Sequence, residues 1–210
     1  RREFDRQSMQ WDLNYFKYNF LKLLDIHFDE QELENRLQHI AGLLTASVPN
    51  YFMYRDFQSR NIMVKGDKFV FLDFQGGRRG AMAYDVASLL NQARANIPNE
   101  DKMDLISHYL TVMNRHTAVD EKDFNNAYLH WSLMRILQTL GAYGFRGLFE
   151  GKAHFLLSMK PAIQKAKEYS LLLSKNKEPD YLVRLLEDAG EKVAQMIPDG
   201  HEGLAITINS

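Results

Sequence analysis

Two short apolar runs, residues 62–65 and 68–72, are separated only by Gly66-Asp67. Neither run is long enough for a helix, and a two-residue gap with Gly first is the signature of a tight II′-type hairpin. If Gly66 and Asp67 are the turn, Lys65 faces Lys68, and counting back pairs Val64 with Phe69, Met63 with Val70, Ile62 with Phe71 and Asn61 with Leu72. That register brings Asn61, at the end of one arm, beside Asp73, which follows the other. Short apolar runs of this kind read as buried strands, as does the run at 51–54 upstream.

The rest of the chain reads as helix. Over 4–24 the pattern is helical and aromatic, with Phe16, Phe20, Leu23 and Leu24 at i, i+4, i+7 and i+8, and Trp11, Tyr15 and Tyr18 widening the apolar face. That stripe reads as core, the alternative being a surface covered by something outside this chain. A second helix is expected over 29–44 (Leu33, Leu37, Ile40, Leu44), broken by Pro49-Asn50. Beyond Gly76-Gly77 the spacing predicts helices at 84–95, 100–115, 121–140, 153–173 and 180–196. Leu133, Ile136, Leu137 and Leu140 form the stripe of one, and Leu182, Leu185, Leu186, Ala189 and Val193 that of another. The expected fold class is mainly α with one small β-hairpin region.

The hairpin gives the polar residues between its strands a chemical meaning. The amide oxygen of Asn61 and the carboxylate of Asp73 are hard oxygen ligands suited to Mg²⁺, which keeps several waters and binds substrate phosphates. Asp56 precedes Asn61 by one short loop and opens into the same space. An acid plus two oxygen ligands for a metal is a minimum set for phosphoryl transfer. Asp56 and Asn61 also favour turns in their own right. Asp85, near the start of a helix, reads first as a structural acid favoured by the helix dipole.

Asp-x-x-x-x-Asn, followed by an apolar strand ending in Asp-Phe, resembles the catalytic and metal-binding segments of the protein-kinase-like superfamily. Arg55-Asp56 with Asn61 matches its "RD…N" core, and 71-FLDFQ-75 stands in place of "DFG". The twelve residues from Asp73 to Asp85 in 84-YDVASLL-90 resemble the aminoglycoside phosphotransferase branch. Within it, YRDFQSRNIMV, LDFQGGRRGAMAYDVASLL and 133-LMRILQTLGAYGFRGLFEGKAHFL-156 are most similar to the kinases of the anomeric hydroxyl of N-acetylmuramate and N-acetylglucosamine. The resemblance covers roughly residues 10–175.

It implies that Asp56 is the catalytic acid, that Asn61 and Asp73 hold Mg²⁺, that ATP is the phosphoryl donor and that a sugar is the acceptor. Arg55, Gln58, Arg60 and Asp85 would contact substrate or support the loop. Arg78 and Arg79 stand where the family's layout would meet an anionic substrate, an ordinary solvated pair being an equal reading. Tyr54 stands where the family usually has His, and Gln75 where protein kinases have Gly. The small N-terminal lobe, with its sheet and phosphate-contacting lysine, has no counterpart here. The resemblance therefore implies a large C-terminal lobe over 1–200. Residues 1–45 would be lobe-linking and core helices, 51–75 the catalytic loop and metal-binding hairpin, and 84–200 a helical subdomain. Such a piece is expected to be inactive without its small lobe.

Composition narrows the alternatives. Basic and acidic residues number 26 and 27, for a net charge of −1, which gives no reason to expect a nucleic-acid or membrane-surface partner. No run of about 18 apolar residues offers a membrane span. The lack of cysteine excludes disulfides and thiolate chemistry and fits a cytoplasmic location. The seven histidines form no HxH or HExxH arrangement, and 76-GGRRG-80 lacks the Lys-Ser/Thr of a Walker A loop. Charged residues open the chain, and Leu204, Ile206 and Ile208 alternate at its end, as if 201–210 began a following domain like that of the RNase adapter family. Both ends read as cuts in a longer polypeptide. Two other functions stay open: a catalytically silent binding or regulatory module, and a choline- or aminoglycoside-type kinase. The latter is disfavoured by the lack of a dense acidic run after Asp85.

Overall fold

The computed structural model describes residues 2–45, 51–174 and 180–197. The expected break at Pro49-Asn50 and the alternation after Gly203 lie outside them. The chain runs α1 (Arg6–Phe16), α2 (Glu30–Thr45), β1 (Tyr51–Met53), β2 (Ile62–Lys65), β3 (Lys68–Phe71), β4 (Arg78–Gly80), α3 (Met82–Leu90), α4 (Asn99–Met113), α5 (Glu121–Tyr143), α6 (Ala153–Leu173) and α7 (Tyr181–Met196). The protein is mainly helical with two small antiparallel sheets, β1–β4 and β2–β3.

Helix α5 is the axis of the core, packing on α1, α3 and α6, with α7 added behind α6. The predicted stripes of α2, α5 and α7 are all buried. Side chains cap the helix starts: Asp5 accepts from the Ser8 amide at 2.9 Å, Asp29 from Glu32 at 2.7 Å and Asp120 from Asp123 at 2.8 Å.

The aromatic N-terminal stripe is only partly core. Phe16, Phe20 and Leu24 are buried, whereas Leu23 is exposed and Trp11 and Tyr18 are each 53% exposed. Trp11 lies on the solvent side of α1 itself, whereas beyond it a π-helical turn at Lys17–Leu21 rotates the end of the helix away from the 3.6-residue period. Tyr18 turns outward, where Lys17 and Lys22 lie over its ring at 5.3 and 5.4 Å. A second π turn, Gly144–Phe149, follows α5 and meets the first. A Cβ on Gly144 would stand 1.7 Å from the Asn19 carbonyl oxygen, so only glycine permits this backbone-to-backbone approach.

The hairpin has the predicted register: Lys65 opposite Lys68, Val64 opposite Phe69, Met63 opposite Val70 and Ile62 opposite Phe71. The amide of Leu72 extends the ladder to the Asn61 carbonyl at 2.9 Å. Gly66 takes φ 59° while Asp67 keeps a negative φ, as a II′ turn requires. The expectation of buried strands is wrong here. Met63, Val64, Phe69, Val70 and Phe71 are exposed, because a two-stranded ribbon has two faces and the helical core reaches neither of them.

Strand β4 has no alternating apolar signal. It forms because its backbone is shared: β1 pairs along one edge, and the N-terminal segment bridges at Glu3 on the other.

Candidate active site

The loop between β1 and β2 is held at both ends by side chains that reach its backbone. Asp85, in the first turn of α3, accepts the Tyr54 amide at 2.6 Å and the Arg55 amide at 2.9 Å. Burial pushes the Asp85 carboxyl above its ordinary range, and the two amides partly oppose that rise. Arg55 takes φ 77°, a strained value for a side chain of this kind, at the point where Asp85 grips the chain. At the far end a 3₁₀ turn, Ser59–Asn61, closes with the Asn61 amide on the Gln58 carbonyl at 2.9 Å, while Ser59 binds Gln92. Arg60 is exposed on that turn.

Asn61 is buried, and its side-chain NH₂ donates to the Asp56 carbonyl at 2.8 Å. That bond fixes the orientation of the amide against the loop. Asp73 follows β3 in the left-handed conformation, φ 67° and ψ 42°, and one of its carboxylate oxygens accepts from Gln75. Tyr54 hydrogen-bonds through its hydroxyl to the Leu72 carbonyl, linking the loop to the strand that delivers Asp73. Phe57 lies between Tyr54 and Phe71, with ring centroids 5.6 and 5.8 Å away. Hydrogen bonds thus gather Asp56, Asn61 and the backbone next to Asp73 at the open end of the hairpin.

Asp56 is half exposed, and one of its oxygens accepts from Arg135 at 3.1 Å. Arg135, on α5, was not singled out in the sequence, nor was Asp12, which pairs with Arg55 at 3.2 Å. Burial raises the Asp12 carboxyl above its normal range, against the pull of Arg55 and Arg135. Arg135 is a lone charge in an apolar helical stretch and Asp12 a buried acid in a mixed one, and the signal that marks them is the partner that a buried charge needs.

The hydrogen bonds of Arg78 and Arg79 go to groups other than Asp56, and Arg78 lies in the field of Asp12 and Arg55. Arg78 donates to the Gly76 carbonyl at 3.0 Å, and Arg79 pairs with Glu3.

The donor set fits a metal of one kind. Among the described residues no group of three or more His, Asp or Glu side chains is arranged to enclose an ion. The side-chain oxygens of Asn61 and Asp73 would suit a hard cation that brings water and substrate phosphate as its remaining ligands.

Residues 1–119, more than half of the chain, match the sequence model of the phosphotransferase enzyme family, APH. The chain belongs to that family. It is also 32% identical over 111 residues to the N-acetylmuramate/N-acetylglucosamine kinase of Neisseria meningitidis serogroup B. That match covers 51% of this chain and 33% of the relative. The loop, the hairpin and α3 lie inside the matched region, while Arg135 lies beyond the family match. None of the described helices is long and apolar enough to cross a membrane.

Proposed function

We propose that the protein transfers the γ-phosphoryl group of ATP to a sugar hydroxyl, the anomeric hydroxyl of an amino sugar. The observation that carries the reading is the bond from Asn61 to the Asp56 carbonyl, which ties the acid to a metal-ligating amide on a hairpin whose other arm ends in Asp73. Asp56 orients the acceptor hydroxyl and takes its proton. Asn61 and Asp73 would hold Mg²⁺, which neutralises charge on the transferring phosphate when bound. Asp85 and Tyr54 keep the loop in register, and Gln75 steadies Asp73. The naming of the Neisseria relative supports the amino-sugar acceptor.

The phosphate-contacting lysine of this superfamily would come from a small lobe outside these 210 residues, in the same polypeptide. The exposed apolar ribbon of β2–β3 supports that arrangement, since a covering lobe would bury it. The 210 residues alone would then be inactive. Arg60 and Gln58 would line the acceptor side of the loop. The cysteine-free composition supports a cytoplasmic enzyme.

Incubating the full-length protein with Mg-ATP and a panel of amino sugars, followed by mass analysis, tests the reading. The expected result is one added phosphoryl group on an N-acetylated amino sugar, absent when its anomeric hydroxyl is blocked as a methyl glycoside. Phosphorylation of choline or of an aminoglycoside instead would overturn the acceptor class.

A further inference from the structure

Arg135 is a buried cation on a helix whose neighbours Leu133, Met134, Ile136 and Leu137 are apolar and buried. A charge in that position is costly unless its hydrogen-bonding groups are met. Each guanidinium nitrogen has a separate partner. Nε donates to Ser88 Oγ at 3.1 Å, Nη1 to Gln138, and Nη2 to Asp56 Oδ1 at 3.1 Å. Its carbon lies 5.9 Å from the centre of the Tyr84 ring.

The pair is lopsided: the Arg135 side chain is 7% exposed and that of Asp56 41%. The cation is thus fixed by the core, and the acid is the half that meets the open site. Asp12 does not account for Arg135, because it hydrogen-bonds Arg55 instead. Ser88 and Asp85 stand three residues apart on α3, so one helix face holds the loop backbone through Asp85 and the arginine through Ser88.

We infer that Arg135 is a positioning residue for Asp56: it holds Oδ1 and leaves Oδ2 to meet the acceptor hydroxyl. The inference rests on the phosphotransfer proposed above. In that step the acceptor oxygen forms its bond to the γ-phosphorus as its proton passes to Asp56 Oδ2. The bond from that phosphorus to the bridging oxygen breaks, and ADP leaves with the electron pair. A carboxylate free to rotate would spend less time aligned, and misplacement of about 1 Å can cost about a hundredfold in rate.

Steady-state kinetics of the full-length protein test this, with folding checked by circular dichroism. Arg135→Met is expected to lower kcat about a hundredfold while KM for sugar and for ATP changes less than about twofold. Arg135→Lys should recover part of the loss, since one ammonium can reach Oδ1 without the guanidinium fork. Ser88→Ala, which only loosens Nε, should give a smaller loss in kcat. In an Asp56→Asn background, Arg135→Met should cost nothing further. Wild-type kcat in a folded Arg135→Met protein overturns the inference, as does an undiminished loss in the Asp56→Asn background. If Arg135→Met does not fold, unchanged kcat in both Arg135→Lys and Ser88→Ala overturns it. A wild-type protein that phosphorylates none of the amino sugars removes the function reading and this inference with it. An active wild type with an indifferent Arg135 removes the inference alone.

Discussion

Asp12 and Asp85 are both acids pressed into the core, and they are satisfied in different ways. Asp85 accepts two backbone amides, whereas Asp12 faces the Arg55 side chain. For each, burial outweighs the stabilising partners and the carboxyl titrates above its ordinary range. A raised carboxyl binds its proton more tightly in the folded state than in the unfolded one. Its contribution to stability is therefore present below the usual value of 3.8 and is lost as pH rises through the folded value. Asp12→Asn removes that titration. Thermal melts at pH 7 and pH 4 should show the wild type gaining on Asp12→Asn as the pH falls. A gap that stays constant, or widens against the wild type in acid, would contradict the burial argument. The gathering of Asp56, Asn61 and the approach to Asp73 was legible in the sequence because a short loop and a hairpin fix their spacing. The loop-holding place of Asp85 came only from the family resemblance. Arg135 and Asp12 were not legible, because partners 79 and 43 residues away leave no local pattern.

Among the elements, those set by local rules were legible. A two-residue turn fixed the hairpin register, and periodic leucines located α2, α5 and α7. Strand β4 depends on backbones far from it in sequence, and its Arg-Arg-Gly carries no strand signal. The exposure of β2 and β3 was equally hidden, since apolar composition does not say which core, if any, covers a strand. The π turns break the helical period at the point where α1 and α5 meet most closely. Their contact supplies a test. Gly144→Ala would place a methyl against the Asn19 carbonyl, a backbone atom unable to swing aside. Denaturant unfolding should show a loss of about 2–3 kcal/mol. Gly190→Ala, where a Cβ meets its nearest neighbour at 3.7 Å, should change stability by less than about 1 kcal/mol. Equal effects at the two glycines would mean that the helices can separate at little cost.

At the scale of the molecule, the helical core is a support for one edge. Helix α5 carries Arg135 to Asp56, α3 carries Asp85 to the loop backbone, and the hairpin carries Asn61 and the approach to Asp73. Beside that edge lies a groove of ≈ 1100 Å³, lined by Tyr54, Phe57, Phe71 and Phe74 on one side and by Leu105 and Tyr109 of α4 on the other. Burial there pushes the Tyr109 hydroxyl up to about 12. The aromatic lining and the bare ribbon make this side of the protein apolar, while the acids gather at the hairpin's open end. Asp56 is the residue on which phosphoryl transfer would depend most directly. Single-turnover phosphoryl transfer to an N-acetylated amino sugar should be compared for the full-length wild type, Asp56→Ala and Asp73→Ala, each shown to be folded. Both variants should fall by about 10³-fold or more. Turnover retained in both would contradict the account.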